Sequence, residues 1–263
     1  MSAAVRLGIV GGAGWLGGAI AGAALQAGVI RAQDLALSYR SAKPDRFPGV
    51  FWTDDNQALA ERCDVIMLSV RPQDWASLAI DAKGKLVISL MAGIRLAEIG
   101  AKHGTRRVVR TLPNAAAEVA KSYTPWIASS DATSEDRAIV RAILSACGSQ
   151  DEVGSEREID YLTGLTGSGP AFPALLADAM MRHAIAFGLE PEVARRAVNT
   201  VLAGAGRMLE MKDTSPADTV EAFLGYRGTT AAAIETMREA GFDEAVAKGL
   251  AAAFEKSIAM GEA

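Results

Sequence analysis

The chain has 263 residues, 50% hydrophobic and 22% charged, with a net charge of −4 from 27 Lys and Arg against 31 Asp and Glu. That apolar content excludes a disordered chain, and the mild acidity excludes the basic footprint of a nucleic-acid binder. On a prior of about 150 residues per domain, the length allows one large domain or two modest ones. Glycine supplies 26 positions and alanine 51, so nearly a third of the chain has almost no side chain to hold backbones apart. No run reaches the roughly 18 uninterrupted apolar residues of a membrane span, and early glycines break any secretory apolar region. Cys63 and Cys147 are far apart and form no CxxC, so reduced, buried thiols in a cytoplasmic protein are expected. His103 and His183 lie outside any HExxH or Cys/His cluster, so no metal site is expected.

Taken in order, short β-rich runs alternate with helical stretches. Val5–Val10 reads as a strand, Trp15–Ala27 as a helix closed by Gly28, and Leu35–Tyr39 and Val50–Trp52 as strands. Asp54 or Asp55 can cap a helix through Arg62. Val65–Val70 and Leu86–Met91 are apolar without alternation, as buried parallel strands require. Val108–Leu112 and Tyr123–Ala128 are further strands, and Ser134–Cys147 is an amphipathic helix. This pattern predicts an α/β fold, a Rossmann-type, doubly wound and mostly parallel sheet over residues 1–155. Beyond it the strand signals stop, and an all-helical domain is predicted over residues 156–263. Its helices are Ile159–Thr166, Pro170–Phe187, Pro191–Met211, Pro216–Leu224, Thr230–Ala240 and Asp243–Met260, with Pro170, Pro191 and Pro216 just inside helix starts. A helical domain of this kind has an apolar face to cover, so a homodimer or higher homo-oligomer is expected.

The first strand runs into Gly11-Gly12-Ala13-Gly14-Trp15-Leu16-Gly17 and then a helix. Gly12, Gly14 and Gly17 satisfy GxGxxG in its required setting: a tight turn, close approach to a pyrophosphate, and close helix–strand packing. The helix start offers free N–H groups to phosphate, so Gly12, Ala13, Gly14, Trp15 and Leu16 are candidate cofactor contacts. Gly11 lengthens the turn by one residue. At the tip of the second strand an NAD-selective site carries Asp or Glu, whereas this chain has Ser38-Tyr39-Arg40-Ser41. Arg40, with Ser38 and Ser41, suits a ribose 2′-phosphate, which predicts NADP(H) in preference to NAD(H). Tyr39 and Lys43 match YxxxK by spacing alone, beside the wrong strand for a short-chain dehydrogenase.

Further motifs resemble the pyrroline-5-carboxylate reductases. Asp54-Asp55-Asn56 is similar to the family's Asp-Asn segment, which places Asn56 near the adenosine half of the cofactor. Val70-Arg71-Pro72-Gln73 is similar to its Val-Lys-Pro-Gln, with Arg for Lys. Ser89 to Ile94 is similar to its Ser-x-x-Ala-Gly-Ile, and Arg110 to Asn114 to its Arg-x-Met-Pro-Asn. Thr163-Gly164-Leu165-Thr166-Gly167-Ser168-Gly169-Pro170-Ala171-Phe172 is similar to the block that opens that family's helical dimerisation domain. The resemblance implies that Val70, Arg71, Pro72, Ala92 and Pro113 line the nicotinamide. It also implies hydride transfer from NADPH to the C=N carbon of a cyclic imino acid, 1-pyrroline-5-carboxylate giving proline.

The family's Pro-Gly-Gly-Thr-Thr holds the substrate at a helix start, and this chain has Tyr226-Arg227-Gly228-Thr229-Thr230. By resemblance Thr230 is the catalytic contact to the imine nitrogen, with Gly228 and Thr229 holding the carboxylate. Free amides of a helix beginning near Thr229 suit a carboxylate, and Arg227 can clamp it in bidentate fashion. Tyr226 can instead reshape the pocket for another cyclic imine, as in a related imine reductase. A catalytically silent NADP-binding sensor is the other alternative. A β-hydroxyacid dehydrogenase is disfavoured, because no Lys occurs between Lys121 and Lys212 to serve as its catalytic residue.

Overall fold

The apolar runs pair into one eight-stranded sheet with the order β3-β2-β1-β4-β5-β6-β7-β8. These strands are β1 Leu7–Val10, β2 Leu35–Ser38, β3 Phe51–Thr53, β4 Val65–Leu68, β5 Leu86–Ser89, β6 Val108–Thr111, β7 Ser122–Ala128 and β8 Gly148–Glu152. The structure, a computed structural model, describes residues 5–211 and 214–261. Neighbouring strands run parallel except β6 and β7, which are antiparallel, so the sheet is doubly wound and mostly parallel. The chain divides into two compact units: Met1–Ser168 with Ala252–Ala263, and Gly169–Ala251.

β1, β2, β4 and β5 carry no alternation because both sheet faces are covered. On one face Leu7, Ile9, Leu37, Met67, Ile88 and Trp126 pack with side chains of α1 (Trp15–Gln26) and α4 (Ser134–Ser145). On the other, Ala36, Ile66, Leu68 and Val87 pack with those of α2 (Asn56–Arg62) and α3 (Leu96–His103). Asp55 caps α2, accepting from the amides of Gln57 and Ala58. Cys63 and Cys147 are free, and burial pushes both thiols up to about 11, so they stay protonated at neutral pH.

Beyond β8 the chain is helical. α5 (Glu156–Leu162) continues into a single π turn, Thr163–Gly167, whose Thr166 carbonyl accepts from Asn114 Nδ2 at 2.9 Å. In the second unit lie α6 (Ala171–Phe187), α7 (Pro191–Met211), α8 (Pro216–Gly225) and α9 (Thr229–Glu239). Pro191 and Pro216 each open a helix, whereas Pro170 stands one place earlier than expected, as the cap of α6. α10 (Phe242–Ala259) begins in the second unit and ends in the first. In the first unit the backbone of Met260 closes on Gly93, where a Cβ would meet it at 2.7 Å. Phe254 meets Tyr161 edge-on, with ring centroids 5.9 Å apart.

Candidate active site

The carboxyl ends of β1 to β6 share one edge of the sheet, because these six strands are parallel. Ligands of open α/β sheets bind at this edge, where the strand order reverses between β1 and β4. It carries the glycine loop after β1, Ser38 to Ser41 after β2, Asn56 after β3, Val70 to Pro72 after β4, Ala92 after β5 and Pro113 after β6.

The glycine with left-handed backbone is Gly11, at φ 80°, rather than Gly12. A Cβ on Gly11 would fall 2.4 Å from the Ser69 carbonyl oxygen, and one on Gly12 2.8 Å from Leu37 Cβ. The extra residue in the turn is therefore the one that tightens it, and Gly12 serves close packing instead. Gly14 is the cap of α1 and has no side chain to offer, so the amides of the first turn are left for an outside acceptor. Uncapped amides over a backbone cradle that Cβ atoms would fill fit the pyrophosphate of a dinucleotide.

Ser38 is buried, its hydroxyl accepts from Gly11 N at 3.0 Å, and its carbonyl accepts from Ala13 N at 3.0 Å. It braces the loop from behind. Arg40 is exposed and pairs with Asp74 at 2.7 Å, in the turn that follows Arg71 and Pro72. Ser41 is exposed beside it, and Asn56 is the first residue of α2. Trp15 is 56% exposed and donates from Nε1 to Glu118.

Asn114 ties the end of β6 to neighbouring segments. Its backbone N–H donates to Ser122 Oγ at 3.0 Å, and its side-chain oxygen accepts from Ala116 N at 2.9 Å. Sequence reasoning singled out neither Asn114 for this bridge nor Arg46, whose Nη2 donates to the Gly12 carbonyl at 2.8 Å. A lone Arg in a loop, 34 positions from its acceptor, carries no motif.

In the second unit, α8 ends at Gly225, Arg227 adopts φ 50°, and Gly228 caps α9, which begins at Thr229. No side chain caps α9, so its first amides are free. Arg227 and Tyr226 are exposed. Thr229, Thr230, Gly228 and Arg227 thus cluster around one helix start that can receive a carboxylate.

Known proteins bear on both halves of the chain. Residues 156–260 match the family described as pyrroline-5-carboxylate reductase dimerisation, and residues 6–93 the family described as NADP oxidoreductase, coenzyme F420-dependent. The chain is 33% identical to the pyrroline-5-carboxylate reductase of Synechocystis, over 79% of each sequence. It is 31% identical to that of Methanosarcina acetivorans, over 98% of each. The crystal structure of Plasmodium falciparum pyrroline carboxylate reductase with NADP bound matches with a TM-score of 0.86 at 25% identity, covering 98% of both chains. An alignment that runs from the glycine loop to the last helix places this chain in the pyrroline-5-carboxylate reductase family.

Proposed function

We propose that this protein reduces a cyclic imino acid, 1-pyrroline-5-carboxylate to proline, using NADPH, and that it works as a cytoplasmic homodimer. The observation that carries the reading is one chain holding both an uncapped glycine loop at a sheet edge and the Gly228-Thr229-Thr230 helix start. Residues 1–155 are assigned the cofactor and residues 156–263 the substrate and the dimer contact.

When bound, the dihydronicotinamide supplies a hydride to the C=N carbon. The residues of the chain bind and orient. Gly12, Ala13, Gly14, Trp15 and Leu16 cradle the pyrophosphate, with Ala13 acting through its place in the turn, since its amide is already bonded to Ser38. Arg40 and Ser41 meet the 2′-phosphate, and Ser38 fixes the loop beside them. Asn56 faces the adenosine half, while Val70, Arg71, Pro72, Ala92 and Pro113 bound the nicotinamide. The amides of Gly228 and Thr229, with the Arg227 guanidinium, hold the carboxylate, and the Thr230 hydroxyl orients the imine nitrogen. An imine that binds already protonated needs orientation more than a strong acid.

The test is NADPH oxidation by the whole protein with 1-pyrroline-5-carboxylate, alongside a panel of other cyclic imines. Turnover is expected on the five-membered imino acid, and Thr230→Val should lower kcat/KM about 10-fold or more. Turnover confined to another imine would favour the altered-pocket reading, which the exposed Tyr226 supports. NADPH binding with no turnover on any imine would favour a silent sensor. Arg40→Ala should raise the KM for NADPH about 10-fold with little change for NADH, and an equal effect on both would remove Arg40 from the 2′-phosphate.

A further inference from the structure

We propose that Arg46 is a positioning residue for the cofactor: seated on Gly18, its guanidinium pins the glycine-loop backbone so that the free amides at the start of α1 face the pyrophosphate. The inference rests on the nucleotide-binding reading of that loop.

Arg46 lies between β2 and β3, on the carbonyl side of the loop. Its Nη2 donates to Gly12 O at 2.8 Å and reaches Gly14 O at 3.4 Å. Because a peptide group is planar, fixing its carbonyl fixes the opposed N–H as well. The Gly12–Ala13 peptide is thereby held at both ends, by Arg46 at its oxygen and by the Ser38 carbonyl at its N–H, 3.0 Å away. In the Gly14–Trp15 peptide the oxygen takes Arg46 and the Gly18 amide, while the Trp15 N–H stands at the uncapped helix start. The guanidinium also places a full positive charge behind a loop that receives an anion.

Two further features hold the arginine there. A Cβ on Gly18 would fall 2.5 Å from Nη1 and 2.6 Å from Nη2, so the helix leaves the guanidinium its seat. Gly18 is outside the GxGxxG pattern and destabilises a helix interior relative to Ala, so its presence calls for a reason of this kind. The guanidinium carbon sits 5.3 Å from the Phe47 ring centroid. Phe47 itself adopts φ 56°, uncommon for a bulky residue, and stacks on Trp52 at 6.5 Å. Arg46 Nε is buried and finds no partner among the described residues, and the hydrogen bonds of this half-buried side chain run from Nη2 to the loop.

The test uses the full chain and its Arg46→Ala, Arg46→Lys and Gly18→Ala variants, with NADPH binding followed by calorimetry. Arg46→Ala should weaken NADPH about 10-fold or more, as expected for losing charge-assisted bonds. Arg46→Lys should recover part of this, since an ammonium lacks the planar fork. Gly18→Ala should weaken NADPH in the same direction while leaving the arginine in the sequence. 2′-AMP, which has the adenine and 2′-phosphate but no pyrophosphate, should compete for all four proteins with inhibition constants within about 2-fold. NADPH binding by Arg46→Ala at wild-type affinity would overturn the proposal. So would an equal loss of NADPH and 2′-AMP, which marks a general loss of structure. A folded wild-type protein that binds no NADPH would instead sink the nucleotide-binding reading, and the role of Arg46 with it.

Discussion

Arg110 shows how much one buried residue can hold. It is fully buried, with Nη2 on Asp160 at 2.6 Å and Nη1 on Glu156 at 3.3 Å, joining β6 to α5. Asp160 also takes Arg95 at 2.9 Å, and Glu156 accepts from Leu96 N at 3.0 Å. Removing one partner of a buried ion pair costs about 3–5 kcal/mol, so Arg110→Ala should lower stability by that order in urea titration. A loss below about 1 kcal/mol would mean that the site relaxes and admits water. Arg227 poses the opposite case. It stands at φ 50° where the resembled motif has Gly, a conformation costing an ordinary residue roughly 1–2 kcal/mol. Arg227→Gly should therefore leave the unfolding midpoint unchanged or slightly raised, the greater freedom of an unfolded Gly cancelling part of the gain. Its KM for the imino acid should rise about 10-fold if the guanidinium holds the carboxylate.

His103 gives the fold a pH dependence. Burial lowers its pKa, against a hydrogen bond between Nδ1 and the Ile80 carbonyl at 3.0 Å that raises it, with Lys102 lowering it further. The folded state therefore keeps the ring neutral where the unfolded state takes up a proton. The contribution is fully present above the unfolded value of about 6.5 and is lost as pH falls below it, by up to about 1.4 kcal/mol per pH unit. Tm should drop between pH 7.5 and 5.5, and His103→Asn should flatten that slope whatever its effect on Tm itself. An unchanged slope in the variant would mean that other groups carry it.

At the scale of elements, α4 is the best-specified helix. Thr133 Oγ1 accepts from Asp136 N at 3.1 Å, and Asp136 Oδ2 accepts from Thr133 N at 2.9 Å and Arg107 Nε at 2.8 Å. Burial works against ionisation of Asp136, but the Arg107 and Thr133 bonds outweigh it and hold the carboxyl below its usual range. Thr133→Ala should cost about 1 kcal/mol by chemical denaturation. Elements with such local signals were legible in the sequence: the buried parallel strands, α1 with its closing Gly28, and α2 with its Asp55 cap. β8, Gly-Ser-Gln-Asp-Glu, was not, because an edge strand paired only with β7 buries too little to show an apolar pattern. α3 also escaped, since its eight residues show apolar periodicity over barely two turns. In the site, the glycine loop was readable because its demand is local steric relief. Ser38 suits a phosphate by its residue type, and its hydroxyl also accepts from Gly11, a role set by the pairing of β2 beside β1 that no residue type announces.

For the whole molecule, the second unit hides little of its apolar content within one chain. Among its described residues only Ala194, Val198 and Ala231 are buried, while Leu175, Phe187 and Met211 are 68%, 82% and 78% exposed. Exposed apolar area on that scale marks an interaction surface, and a second copy of the chain is the occupant proposed above. Leu175→Glu and Val201→Glu, tested separately, should halve the mass in light scattering if their faces are in the contact. A monomeric wild-type protein would refute the dimer.

The closure of Met260 on Gly93 also has a bearing on how the protein is made. The sheet unit is completed by segments from opposite ends of the chain, with all of Gly169–Ala251 between them. At 5–20 residues per second, a ribosome holds the strands ready for on the order of ten seconds before α10 emerges. Through that interval the seat at Gly93 waits, and the loop after β5 stands without the segment that closes on it.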